Sequence, residues 1–448
     1  MIRTAHLHKL IVLSCLPLAM LGARATYAEN RKSVGEIRPD NARLAASIRS
    51  DKRLDQVHLL ALNLFKTGLN AGNGYNEVWI RDLNTFIEIA LEVNPRFQLR
   101  EALITFLKFQ GPDGDIVDGY VPVDAAKIKY AYRTSTLAPG LMAHKNTVET
   151  DQESSLVQAI RKYVDATGDQ TILDEHVDGL TVRERLNRAL QYVMTQRFDP
   201  KHGLIWGATR ADWGDIQPEA TWGVVIDANS HRAICVYDNA MFLIAIDDYL
   251  KLTASDTSEA AHWTAIGKGL KRNIRKHLWD VKNQKYIPHV YLEGSPFPRE
   301  FDESAIYYHG GTAVAIEAGL LTHAEVGKAL DHMVSDVHAA GASSIGITMY
   351  PPYPANYFKN PIMAPYSYQN GGDWDWFGGR MIHELIRQGY VAEAYRELQP
   401  MVERVRRTDG FHEWWTPDNQ PRGSDNFRGA AGVLGRDIEL LEDWAKQH

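Results

Sequence analysis

Apolar residues recur at helical spacing in twelve stretches of the chain: 40–66, 82–93, 98–110, 150–167, 180–196, 236–252, 257–278, 311–319, 322–336, 378–388, 390–405 and 428–446. That period marks one apolar face of an α-helix. Within 150–167, Leu156, Ile160 and Tyr163 share a face, while Arg161 and Lys162 fall off it. In the last stretch Val433, Leu434, Ile438, Leu441 and Trp444 make the stripe, and Arg436, Glu439 and Asp443 lie outside it. Strand-like alternation is almost absent. Twelve helices without a fixed sequence period predict an all-α fold of six helical hairpins closed into a double-walled (α/α)6 toroid, rather than a solenoid of repeats. No Ser/Gly tract, Pro-rich spacer or charge block divides the chain, so one domain is expected over 29–448.

The connections are uneven. Segments 111–149, 197–235, 279–310 and 337–377 are long and rich in Gly, Pro, Trp, Tyr and Asp. Loops of such length in a compact domain are usually functional. In a toroid they would gather at one end, over the central funnel.

Four clusters in or beside these loops carry candidate chemistry. Trp79-Ile80-Arg81-Asp82 precedes the second helix, where Arg and Asp can bond sugar hydroxyls beside a stacking ring. The alternative is an Asp82 that caps the helix and an Arg81 paired on the surface. Glu149-Thr150-Asp151-Gln152-Glu153 enters the fourth helix, and the helix dipole alone accounts for acids there. Glu149 and Asp151 are nonetheless candidate sugar ligands. Asp212-Trp213-Gly214-Asp215 lies deep in a loop, and a carboxyl desolvated against indole is suited to donating a proton. Its bland counterpart is a turn whose acids cap backbone amides. Phe411-His412-Glu413-Trp414-Trp415 sets one glutamate among large aromatics, where Glu413 could activate a water as general base or simply be a satisfied buried acid. Upstream, Tyr368-Gln369-Asn370-Gly371-Gly372-Asp373-Trp374 reads as a recognition wall, with a structural glycine turn as its counterpart.

The start of the chain and its charge narrow the context. Met1 to Ala28 has a basic start, an apolar run from Leu10 to Leu21 and a closing Thr26-Tyr27-Ala28. That is the layout of a cleaved export signal, too short in its apolar run to span a bilayer. A periplasmic or secreted protein, free of the membrane once the signal is removed, is expected. Removal takes Cys15 and leaves Cys235, so no internal disulfide can form. The net charge of −7 becomes more acidic with the loss of Arg3, Lys9 and Arg24, which argues against a nucleic-acid partner. Eleven tryptophans suit a carbohydrate partner, whose rings stack on aromatic faces. No His/Asp/Glu set has convincing ligand spacing, so neither a metal nor another cofactor is expected.

These motifs together resemble the six-hairpin glycosidase superfamily, which holds glucoamylases, trehalases, neutral invertases, mannosylglycerate hydrolases and cellobiose phosphorylases. Trp79-Ile80-Arg81-Asp82 resembles its tryptophan-x-arginine-aspartate motif for the non-reducing sugar. Asp212-Trp213-Gly214-Asp215 is similar to the end of the phosphorylases' glycine-aspartate-tryptophan-asparagine-aspartate, whose second aspartate is the general acid. Gly214 stands where the family has asparagine and Ala211 where it has the leading glycine, so Asp212 and Asp215 both remain candidates. Tyr368 to Trp374 resembles the tyrosine-x-asparagine-glycine-glycine-x-tryptophan segment, and Phe411-His412-Glu413-Trp414 the segment with the hydrolases' base. The resemblance implies a glycoside hydrolase that inverts configuration, acts from chain ends and takes α-linked di- or oligosaccharides. Asp215 would be the acid and Glu413 the base, with Trp79, Arg81, Asp82, Glu149, Asp151, Trp213, Asn370, Asp373, Trp374 and Trp414 around the sugar. A phosphorylase, an epimerase or lyase, and a non-catalytic glycan-binding protein are the alternatives on the same toroid.

Overall fold

The computed structural model describes residues 39–253 and 257–448. The segment read as an export signal, 1–28, lies outside them. Thirteen α-helices occur among the described residues: α1 Pro39–Ser50, α2 Lys52–Phe65, α3 Ile80–Val93, α4 Arg96–Lys108, α5 Gln152–Thr167, α6 Val182–Gln196, α7 Val236–Leu252, α8 Thr257–His277, α9 His309–Glu317, α10 His323–Ala340, α11 Asp375–Arg387, α12 Val391–Thr408 and α13 Arg428–Gln447. The first apolar stretch, expected as one helix, is two. Asp51 breaks it because its side chain accepts the amide of Arg53 and starts α2 afresh. Helix α10 runs past its expected end to Ala340, where Gly341 turns left-handed and stops it.

Helices α3, α5, α7, α9, α11 and α13 pack each on the next, and α13 closes back on α3. Around them α2, α4, α6, α8, α10 and α12 each pack against the inner helix that follows or precedes in sequence. This is the (α/α)6 toroid. The inner ring is buried almost all round: every residue from His309 to Ile316 in α9 is buried, as are twelve residues of α7 from Val236 to Leu252. A helix apolar on all sides has no solvent face and belongs between others.

Among the described residues, no inner helix starts with its own N-cap side chain, whereas some outer helices do. Outer helices α6 and α10 open with complete capping boxes, Thr181 with Glu184 and Thr322 with Glu325. Inner helices α3, α7, α9, α11 and α13 open at Trp79, Cys235, Tyr308, Trp374 and Phe427, none of which makes a side-chain cap. The inner N-termini converge at one end of the ring, so their free amides and positive dipole ends are open to groups from the loops.

Those loops are more ordered than the sequence suggested. Short strands at Val78–Trp79, Gly119–Pro122, Leu141–His144 and Arg133–Thr134 form one antiparallel sheet, and His412–Trp415 pairs with Pro421–Asp425. Runs of two to five residues are too short to display a period of two, which is why the alternation could not be read. No helix among the described residues is long and apolar enough to cross a membrane.

Candidate active site

At the N-terminal end of the inner ring a small pocket is lined by Trp79, Arg81, Asp82, Glu149, Trp213, Asp215, Tyr368, Gln369, Trp374, Trp376, Glu413 and Phe427. The aromatic walls are fixed by their own contacts. Trp213 stacks on Phe377 with ring centroids 4.1 Å apart and meets Trp374 edge-on at 4.8 Å. Trp374 donates its indole N–H to the Tyr368 carbonyl at 2.9 Å, and Trp376 donates to Thr85 Oγ1 at 2.7 Å.

The acids around this mouth fall into two groups. In the first, each is neutralised by an arginine. Arg81 pairs with both Asp118 and Glu149. Arg210 holds Asp238 at 2.7 Å, and Arg404 holds Asp373 at 2.8 Å and Asp375 at 2.6 Å. Such pairs are needed because a carboxylate out of water without a counter-charge costs several kcal/mol.

The second group is Asp82, Asp215 and Glu413, which line the pocket and enter no ion pair among the described residues. Asp215 is held by a neutral amide: Gln369 Nε2 donates to Oδ1 at 2.8 Å, and Gln369 Oε1 accepts the Asp215 amide at 3.2 Å. Gly214 makes this possible, since a Cβ there would lie 2.5 Å from Gln369 Oε1. The glycine that departs from the family's asparagine is the space into which Gln369 reaches. Glu413 accepts the Tyr75 hydroxyl at 2.9 and 3.0 Å and the Ser424 amide at 2.7 Å. Burial pushes its carboxyl up to about 7, with the nearby Asp215 charge adding to the rise and the Ser424 and Tyr75 bonds opposing it. Gly423, at φ +72°, leaves room for this carboxyl, and a Cβ there would strike Glu413 Oε2. Asp82 is buried with no protein partner on either oxygen, and desolvation raises it to about 7. A ligand hydroxyl would satisfy it.

Several residues expected around a sugar belong to the framework instead. Asp212 caps α9: its two oxygens accept the amides of Gly310 and Gly311, each at 2.8 Å. Burial nonetheless raises its carboxyl to about 8. Asp151 is fully buried and accepts the Tyr237 hydroxyl at 2.7 Å and the Gln152 amide at 3.0 Å. Asn370 pins its own loop, donating to the Tyr353 and Met363 carbonyls and accepting the Tyr353 amide at 2.7 Å. Asp373 accepts Ser344 Oγ at 2.6 Å besides pairing with Arg404. Trp414 is buried behind Tyr368, 6.3 Å between centroids, and does not line the pocket. Arg81, expected either at a sugar or on the surface, is a half-buried hub for two acids and itself lines the pocket. Trp79, Asp82, Glu149, Trp213, Asp215, Trp374 and Glu413 do come together.

Sequence reasoning missed Tyr75, Asp118, Gln369 and Phe427. Gln369 sat inside a segment already singled out, and Tyr75 sits four residues before Trp79 in an irregular, glycine-rich stretch. One trio among the described residues has metal-ligand geometry: His58, Glu92 and Glu439, with ligand atoms within 4.8 Å of one another. It is assembled from α2, α3 and α13, so linear spacing could not show it. None of the three lines the pocket, and Glu439 also bonds Arg436 at 2.8 Å.

The family described as glycosyl hydrolase 94 superfamily, catalytic domain, matches residues 60–373. No curated protein sequence matches. Among solved structures, the GH63 mannosylglycerate hydrolase from Thermus thermophilus in complex with Tris is similar at a TM-score of 0.62 and 15% identity, over 85% of this chain and 99% of that one. Its complex with Tris and D-glycerate gives 0.61 at 17% identity over 85% and 99%. A rhamnosidase from Klebsiella oxytoca with rhamnose bound gives 0.55 at 15% identity, over 86% of this chain and 63% of that one. At these identities the likeness is one of fold.

Proposed function

This chain belongs to the glycosyl hydrolase 94 superfamily and has the six-hairpin glycosidase toroid, and from that premise we propose that it is an inverting glycoside hydrolase acting on the ends of α-linked di- or oligosaccharides. The observation that carries the reading is the pair Asp215 and Glu413. They line one aromatic pocket, held by neutral donors alone, while Glu149 beside them is matched with an arginine and Asp151 and Asp212, whose donors are also neutral, do not line it. Neutral donors orient a carboxyl without fixing its charge, which leaves it free to give or take a proton.

In the mechanism, Asp215 donates a proton to the glycosidic oxygen as the bond to the anomeric carbon breaks. Glu413 takes a proton from a water that attacks the opposite face, so the released sugar has the inverted configuration. Water needs room, and an inverting pair stands roughly 6.5–9.5 Å apart. A carboxyl near pH 7 is well matched to a general base. Asp82, Trp79, Trp374 and Trp376 hold the terminal sugar, and Arg81 with Glu149 shapes its wall. A pocket rather than an open groove supports action at chain ends. The layout of Met1 to Ala28 supports export to the periplasm or beyond, leaving 29–448 as the catalytic domain.

Phosphorolysis is the neighbouring reading within the superfamily. Glu413 favours water as the nucleophile, because phosphate brings its own negative charge and needs no base. The test is turnover of a panel of α- and β-linked disaccharides with and without inorganic phosphate, the anomer followed by NMR. Hydrolysis without phosphate, inversion, and loss of turnover in folded Glu413→Gln and Asp215→Asn are expected. Phosphate-dependent release of a sugar phosphate, or normal activity in either variant, would overturn the assignment.

A further inference from the structure

Among the described residues, Trp222 alone of the eleven tryptophans is exposed, at 58%. It sits on the same loop as Asp215, past the rim of the pocket. Its ring stacks on Tyr130 with centroids 5.6 Å apart and planes 29° from parallel. Tyr130 in turn stacks on His144 at 3.8 Å and 12°. His144 Nε2 lies 3.2 Å from Asp118, the partner of Arg81 in the pocket wall. The three rings therefore continue the wall outward.

The loop is pinned where Trp222 stands. Thr147 donates its amide to the Val224 carbonyl at 2.8 Å, and its hydroxyl accepts the Ile226 amide at 2.7 Å. An indole held out in water with one face supported offers the other face to an apolar surface. We propose that Trp222, backed by Tyr130, is the subsite for the leaving group: a sugar ring on the far side of the scissile bond lays its apolar face on the indole. Its edge hydroxyls stay hydrated at the open rim, and its glycosidic oxygen is brought to Asp215. The substrate is then at least a disaccharide. This inference rests on the glycosidase reading above and assigns the site beyond the cleaved bond.

The test compares two substrates of the wild-type protein, Trp222→Ala and Trp222→Phe. One is the disaccharide that the protein hydrolyses. The other is the glycosyl fluoride of the same terminal sugar, whose leaving group has no ring to stack. In Trp222→Ala the ratio of kcat/KM for disaccharide over fluoride is expected to fall roughly ten-fold, mostly through KM. Trp222→Phe is expected to restore most of it. An unchanged ratio, whether both substrates fall equally or neither does, overturns the subsite while leaving the hydrolase reading in place. A wild-type protein that hydrolyses neither compound overturns the hydrolase reading, and this one with it.

Discussion

Replacing Tyr75 by Phe removes one hydroxyl from the pocket and keeps the ring, which packs against Trp79 with centroids 4.5 Å apart. The hydroxyl bonds both oxygens of Glu413, at 2.9 and 3.0 Å, and that bond draws the carboxyl down against the burial that raises it to about 7. A hydrogen bond to a charged group contributes roughly 1.5–3 kcal/mol. Here one donor is shared between two oxygens, and the Ser424 amide and Tyr368 remain, so a loss of about 1.4 kcal/mol is the reasonable figure. That equals about one unit of pKa.

The sign follows from the base's need to be ionised. Protonation of Glu413 as pH falls removes activity, so kcat/KM has an acid limb near pH 7, and Tyr75→Phe should move it up to about pH 8. At pH 6 the ionised fraction then drops from about 9% to about 1%, a fall of about ten-fold, while at pH 9 the two proteins differ little. A pH profile of kcat/KM from pH 5 to 10 on a hydrolysed disaccharide reads both ends. A limb that stays put or moves to lower pH would refute the link between Tyr75 and the base. So would an equal loss at every pH.

Three further outcomes follow from the geometry. Asp82 has a folded pKa of about 7 against an ordinary 3.8, so its stabilising protonated form is complete at low pH and lost as pH rises through 7. Asp82→Asn should therefore raise stability by about 2–4 kcal/mol at pH 8, a gain that closes below about pH 4 in thermal unfolding scans, and should abolish turnover. Asp212→Ala should cost about 1 kcal/mol of stability through the α9 cap yet keep turnover within about ten-fold, whereas Asp215→Asn should lose 10²–10⁴-fold, roughly the share of a general acid. Equal losses in the two would return Asp212 to candidacy. Gly423→Ala places a Cβ against Glu413 at a positive φ, so a folded but inactive protein, destabilised by about 1–2 kcal/mol in urea titration, is expected.

The parts of this molecule that depend on period were legible in the chain. Outer helices carry an apolar stripe and inner ones such as α9 are apolar nearly all round, so twelve stretches at helical spacing could be read and the toroid expected from them. Asp51 escaped because the stripe continues across it, and only its bond to the Arg53 amide reveals the break. At the site, aromatic neighbours marked Asp215, Glu413 and Trp374, because indole and carboxyl side by side are unusual in a loop. The same signal misplaced Asp373, Asn370 and Trp414. Acids and amides among tryptophans also serve to lock a loop, and nothing in their order along the chain says whether Arg404 or Tyr353 waits to bond them. Likewise Arg81 and Asp118 are 37 positions apart, and Tyr75 meets Glu413 across 338. Pairings over such distances are set by ring closure, which the local sequence does not encode.

The architecture explains why acids crowd this one end. Six inner helices aim their N-termini at the same mouth, and their open amides and dipoles favour negative charge there. Asp82, Glu153, Asp238 and Asp375 occupy first turns, and Asp212 reaches in from a loop to close α9. A mouth so lined would repel itself unless cations entered, and Arg81, Arg210 and Arg404 do so, the last two buried and each bound to acids. Acid content alone therefore cannot locate the chemistry in such a toroid. What separates Asp215 and Glu413 is place and partner together: they line the pocket with an amide for one and a phenol and a backbone N–H for the other, whereas Glu149 there has a guanidinium, and Asp151 and Asp212 have neutral partners but do not line it. An arginine brought to either one, as by Gln369→Arg beside Asp215, should replace the neutral donor by an ion pair and cost turnover, read as kcat on a hydrolysed disaccharide. The pocket would keep its shape and lose its acid.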